Sequence, residues 1–201
     1  MKLYIKPGAC SLSTHIILRE AGLPFDLVKV EFPAKTLPDG ASYLSVNPKG
    51  QVPALGLDEG GVLTEAAVIA QYLADKAPDS GLLPAAGGME RYRVLEWLNF
   101  IATELHKSFT PLFRPNTPEE YKPVARDIVA GKLAMLDAEL ADRPFLAGAA
   151  FTAADAYCFT VLRWTRAVAI DLAAWPNLTA YVERVGARPA VAEAIAAEKA
   201  A

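Results

Sequence analysis

The sequence predicts an α/β half followed by an all-α half, and three observations predict it. Strand and helix signals alternate from Leu3 to Leu73, a turn-rich segment with Pro78, Gly81, Pro84, Gly87 and Gly88 follows, and only helical spacing recurs beyond it. The 201 residues are 53% apolar and 21% charged, enough core-forming material for two modest domains and too much for a disordered chain.

In the first half, Leu3 to Lys6 is a short strand ended by Pro7-Gly8. Leu12, Ile16, Ile17 and Leu18 then recur at helical spacing until Gly22-Leu23-Pro24 stops the helix. Phe25 to Val30 alternates apolar and polar residues, as a half-buried strand does. A long polar excursion carries Pro33, Pro38-Asp39-Gly40 and Asn47-Pro48-Lys49-Gly50. Val52 to Leu57 and Gly61 to Leu63 form a hairpin around Asp58-Glu59-Gly60. Thr64 is the expected cap of the next helix, whose apolar face is Ala67, Val68, Ala70, Tyr72 and Leu73. A β-α-β unit implies a right-handed parallel crossover, and the hairpin adds antiparallel strands. This is the thioredoxin-like arrangement, β-α-β-α-β-β-α when the excursion holds a helix, and it occupies residues 1–80.

The second domain, residues 87–201, is expected to be all-helical. Helices run from about Met89 to Lys107 and from about Pro118 to Leu140. Another opens at Thr152, which has capping-box spacing with Asp155 in place of the usual Glu. The last two hold Leu178 to Val185 and Ala190 to Ala197, punctuated by Pro176, Gly186 and Pro189.

Charge and reactive side chains narrow the function. Twenty Lys and Arg against 23 Asp and Glu give a net charge of −3, which offers no field for a nucleic acid or an anionic membrane. No apolar run approaches the roughly 18 residues that span a bilayer. Pro7 and Gly8 interrupt the place where a signal peptide needs its apolar stretch, so a cytoplasmic setting is expected. The two cysteines, Cys10 and Cys158, and two histidines, His15 and His106, are too scattered for a disulfide framework or a metal site.

Cys10 follows the first strand and starts the first helix, where free amides and the helix dipole favour a thiolate; the alternative is a small buried hydrophobe. The run Cys10-Ser11-Leu12-Ser13 lacks a second thiol, so any redox cycle needs an external one. Pro53 cannot donate to a strand ladder and must lie at an end, an edge or a bulge. A cis Val52-Pro53 bond would expose the Val52 backbone to an extended peptide, and the sequence leaves cis or trans open. Glu65 lies beside free helix-start amides that suit a carboxylate ligand, or is itself a carboxylate favoured by the dipole. Cys158 reads as buried core, His15 as structural or partly exposed, and Trp97, Trp164 and Trp175 as packing residues, with Trp164 bordering an apolar pocket.

Several runs together carry a family resemblance. KPGACSLSTHIILREAGLPF, NPKGQVPAL, LTEAAVIAQYLAD, YRVLEWLNFIATELHKSFTPLF and FTAADAYCFTVLRW resemble a bacterial beta-class glutathione transferase over essentially the whole chain. The resemblance implies a homodimer with glutathione as cosubstrate, no permanently bound cofactor and no metal. It implies that Cys10 lies next to the glutathione sulfur and forms a mixed disulfide with it, and that the Val52 backbone, before Pro53, pairs with the cysteinyl part. Glu65 and Ala66 match the pair holding the γ-glutamyl end, and Lys35 a basic residue reaching the glycine carboxylate. Asn99, Thr103, Glu104 and His106 match helical-domain residues of the same cleft; Asn99, Thr103 and His106, spaced by four and three, are expected on one helix face. His106 is expected to hydrogen-bond near the sulfur, and Phe109, Phe113 and Trp164 to line the acceptor pocket. Two departures stand out: Ile5 replaces a common Tyr near the thiol, and Ala66 replaces a common serine. The expected activity is conjugation of the glutathione thiolate to small apolar electrophiles, with thiol-disulfide exchange at Cys10. The alternative is a non-catalytic glutathione-binding protein of the same fold.

Overall fold

The computed structural model describes residues 1–201. Its contacts divide the chain into two compact units, Met1–Leu83 with Arg188–Ala201, and Pro84–Ala187.

The first unit opens with β1 (Lys2–Ile5), α1 (Ser11–Glu20) and β2 (Asp26–Lys29), and continues with β3 (Ala54–Gly56), β4 (Val62–Thr64) and α2 (Ala66–Lys76). The sheet order is β2-β1-β3-β4, with β1 parallel to β2 and the other pairs antiparallel. This is the thioredoxin-like domain. Its excursion holds a single 3₁₀ turn, Tyr43–Ser45, where the expected order has a helix. Tyr43 is fully buried there, and its hydroxyl donates to the Gln51 carbonyl at 2.7 Å, so one anchored aromatic ties the excursion down.

Leu3 and Ile5 alternate inward on β1 and are fully buried. Every residue from Ser11 to Leu18 is buried, because α1 packs against β1, α2 and the last helix, α10 (Pro189–Ala200). The sequence boundary at residue 87 assigned that last helix to the helical domain; its contacts with α1 place it in the first unit. Arg188 donates to both carboxylate oxygens of Glu20, at 2.7 and 2.8 Å. Glu198, 4% exposed, accepts from the Gly8 amide at 2.9 Å and from His15 Nδ1 at 3.2 Å. Arg19 Nε donates to His15 Nε2 at 2.9 Å, which leaves the ring proton on Nδ1 for Glu198. His15 is therefore structural and fully buried.

The second unit contains α3 (Met89–Phe100), α4 (His106–Ser108), α5 (Thr110–Phe113), α6 (Tyr121–Glu139), α7 (Ala153–Leu162), α8 (Trp164–Ala167) and α9 (Pro176–Gly186). Between α3 and α4 the chain makes a π turn, Ile101–Leu105, inside what the periodicity reads as one continuous helix. All ten residues of α7 are buried, so it forms the core of this unit. Asp155 starts it. Its carboxylate accepts from the Thr152 amide at 2.8 Å and hydroxyl at 2.9 Å, the Leu146 amide at 2.9 Å and the Tyr181 hydroxyl at 3.0 Å. Burial nevertheless raises its pKa above the usual carboxylate value. Cys158, three residues on, is fully buried, and burial pushes its thiol up. No helix is long and apolar enough to cross a membrane.

Candidate functional site

In the first unit the chemistry gathers where β1, β3 and α2 meet the start of α1. Cys10 is the residue before α1, half-buried, and its Sγ donates to the Val52 carbonyl at 3.0 Å. The turn that delivers it is fixed from inside: Ser11, fully buried, accepts from the Lys6 amide and donates to the Lys6 carbonyl, both at 3.2 Å. That hydroxyl faces back into the turn, whereas the Cys10 thiol, in no disulfide, is half-buried. The Val52-Pro53 peptide is cis, as is Phe32-Pro33. Ile5 is fully buried in β1.

Glu65 immediately precedes α2 with φ at 71°, a left-handed conformation unusual for a residue with a side chain. The expected cap, Thr64, instead ends β4. Ala66 is buried, the Glu65 carbonyl accepts from Val68 and Ile69, and the Glu65 side chain is exposed. Lys49 meets it: its Nζ donates to Glu65 Oε1 at 2.7 Å and to Thr64 Oγ1 at 3.0 Å. Lys35, half-buried and also left-handed at φ 55°, lays its ammonium against Gly50. The structure thus brings Cys10 to Val52 by a hydrogen bond and Lys49 to Glu65 by an ion pair. Sequence reading missed Lys49, whose only signal was its place in the Asn47-Pro48-Lys49-Gly50 turn.

In the second unit His106 lies at the end of the π turn. Its Nδ1 is 2.8 Å from the Tyr157 hydroxyl of α7, and its ring stands edge-on to Trp164, with centroids 4.7 Å apart. Burial, with a smaller contribution from Lys107, lowers its pKa from 6.5 to about 4, so the imidazole is neutral near pH 7. When the Tyr157 hydroxyl donates to Nδ1, the ring proton sits on Nε2. Tyr157 is the partner that periodicity hid, since a nearly buried aromatic in α7 reads as core.

The other helical residues have partners of their own. Asn99, Thr103 and Glu104 are exposed; the Thr103 hydroxyl donates back to the Asn99 carbonyl at 2.9 Å, and Glu104 pairs with Lys132 of α6 at 2.6 Å. The π turn lies within this stretch, and its wider i→i+5 bonding alters the four-three spacing that aligns residues on one α-helical face. The three aromatics do cluster: Phe113 and Phe109 lie 5.7 and 6.0 Å from Trp164, and their own rings stack at 6.4 Å. Phe109, however, is fully buried and Phe113 is 47% exposed, so Phe109 supports the cluster from behind and offers no open wall.

The molecule thus belongs to the class of two-domain proteins in which a thioredoxin-like sheet with a cysteine at its first helix start accompanies an all-helical domain. Comparison with known proteins gives the class its family. Residues 8–76 match the model of the glutathione S-transferase N-terminal domain, and residues 100–189 that of the C-terminal domain. The chain is 54% identical to glutathione S-transferase GstA of Escherichia coli O157:H7 over 98% of each chain. Among solved structures, a sphingomonad glutathione S-transferase complexed with glutathione superposes with a TM-score of 0.97 at 50% identity, covering all of both chains. The bacterial beta-class glutathione S-transferase of Sphingomonas chungbukensis does so with 0.96 at 48% identity, over 98% of each chain. The chain belongs to the glutathione S-transferase family. It is an enzyme, a transferase, with glutathione as its cosubstrate.

Proposed function

We propose that this enzyme conjugates glutathione to small apolar electrophiles and exchanges thiols through a mixed disulfide at Cys10. The observation that carries the reading is the Cys10 Sγ held 3.0 Å from the Val52 carbonyl at the start of α1. The Val52 backbone pairs with the cysteinyl part of glutathione, and the first-turn amides of α1 favour negative charge on sulfur. Glu65 and Ala66 receive the γ-glutamyl end, and Lys35 the glycine carboxylate. Neutral His106 supplies an Nε2 proton as a hydrogen-bond donor, and Asn99, Thr103 and Glu104 add polar contacts. Phe113 and Trp164 accept the apolar electrophile.

In conjugation the glutathione thiolate attacks the electrophilic carbon and expels its leaving group. In exchange the Cys10 thiolate attacks a glutathione-containing disulfide and releases the other thiol. A second glutathione then attacks the Cys10 mixed disulfide, giving oxidised glutathione and restoring the thiol. Both activities, measured in Cys10→Ala, test the reading: exchange should vanish and conjugation should fall. Undiminished activity in both would remove Cys10 from the mechanism. We also propose a homodimer, supported by the large apolar side chains exposed on α3, Met89 and Tyr92, and a cytoplasmic setting, supported by two cysteines that form no disulfide.

A further inference from the structure

We propose that Lys49 is a built-in occupant of the Glu65 carboxylate, displaced by the α-ammonium of glutathione, and that it thereby sets affinity and charge selectivity at this end of the site. The inference rests on the reading of Glu65 as the group that meets the γ-glutamyl end.

The turn that carries Lys49 is built to aim it. Asn47, 2% exposed, accepts from the Lys49 amide through Oδ1 at 3.1 Å and donates through Nδ2 to the Gln51 carbonyl at 2.7 Å. Its own carbonyl accepts from the Gly50 amide at 2.8 Å. The backbone on both sides of Lys49 is therefore fixed by one buried side chain. From that anchor the ammonium reaches Glu65 and Thr64 together. Glu65 is held on its side by a left-handed backbone that residues with side chains rarely adopt. Two constrained backbones thus place one cation on one carboxylate.

The pair is also open to a competitor. The Lys49 and Glu65 side chains are 53% and 61% exposed, so a ligand reaches the carboxylate through solvent, and a screened pair of this kind is weak. The α-ammonium of glutathione is the same chemical group as the end of Lys49, a compact charge with three donors. Two such cations at one carboxylate repel, so binding one weakens the other. A ligand without that amine gains nothing from removing Lys49.

Calorimetric titration of the full-length wild type, Lys49→Met and Lys49→Arg with glutathione and with its desamino analogue tests this. At low salt Lys49→Met should bind glutathione about two- to fivefold tighter, the range an exposed ion pair allows. The gain should shrink at high salt. Lys49→Arg, which keeps the competing charge, should behave as wild type, and the desamino analogue should bind wild type and Lys49→Met alike. Unchanged or weaker glutathione binding by Lys49→Met, or an equal gain with the desamino analogue, overturns the inference alone. Failure of the wild type to bind glutathione overturns the reading of the site on which it stands.

Discussion

Glu198, near the end of the last helix, accepts a hydrogen bond from the amide of Gly8, two residues before the cysteine that starts the first helix. The same carboxylate accepts from the fully buried imidazole of His15. Glu198→Ala takes the acceptor from the fully buried His15 ring and from the more open Gly8 amide, at a cost of about 1–3 kcal/mol. Glu198→Gln keeps an acceptor and should cost less. Urea unfolding followed by circular dichroism measures both, and equal midpoints for wild type and Glu198→Ala would refute the network's role.

Gly50 combines a φ of +62° with a lysine ammonium lying against its backbone. Gly50→Ala therefore strains the turn by about 1 kcal/mol and drives Lys35 from its place. The KM for glutathione should rise several-fold. An unchanged KM would separate Lys35 from glutathione binding.

Phe109 and Phe113 stack, yet their burial gives them different roles. Phe109→Ala should destabilise the protein by about 3–5 kcal/mol, as truncation of a fully buried phenylalanine does. Phe113→Ala should leave stability nearly unchanged and raise the KM for an aromatic electrophile. Steady-state kinetics beside thermal melts distinguish the two, and the same phenotype in both variants would dissolve the assigned pocket.

His106 has its pKa lowered from 6.5 to about 4 in the folded chain. The unfolded chain takes up this proton first as pH falls, so the associated stability is present above 6.5 and lost as pH drops toward 4. Unfolding midpoints measured from pH 7 to pH 4 should fall less steeply for His106→Gln than for wild type. Parallel slopes would show that the imidazole titrates as it does in the unfolded state.

Asp155 supports α7 through four hydrogen bonds, and Tyr181→Phe removes one of them. That variant should lose about 1 kcal/mol, and Asp155→Ala about 3 kcal/mol or more, because the Leu146 and Thr152 amides lose a buried acceptor. Denaturation midpoints check the order, and a larger loss for Tyr181→Phe would reverse the argument.

Much of this architecture is legible locally. Leu3 and Ile5 alternate along β1, Leu12 and Ile16 recur along α1, and Thr152 with Asp155 marks the start of α7, since each signal acts within a few residues. Cys10 stood out because its neighbours, Pro7-Gly8 before and a helix after, define a helix start. What escaped was set by distant partners or by backbone register. Glu198 finds Gly8 across most of the chain, and the π turn before His106 shares the composition of an α-helix while changing which side chains align. The choice between Thr64 and Glu65 as the residue before α2 depends on a left-handed backbone that carries no compositional mark. Lys49 looked like an ordinary turn lysine because its partner lies in another element.

The return of α10 to α1 makes the first unit discontinuous, with Pro84–Ala187 inserted within it. During synthesis at roughly 5–20 residues per second, the strands and α1 therefore wait on the order of ten seconds for the residues that complete them. Until Glu198 emerges, Gly8 and His15 lack their buried acceptor, so the cysteine turn is finished only after the helical unit has been made. Damage at the C-terminus is accordingly felt near the thiol at the other end of the sequence.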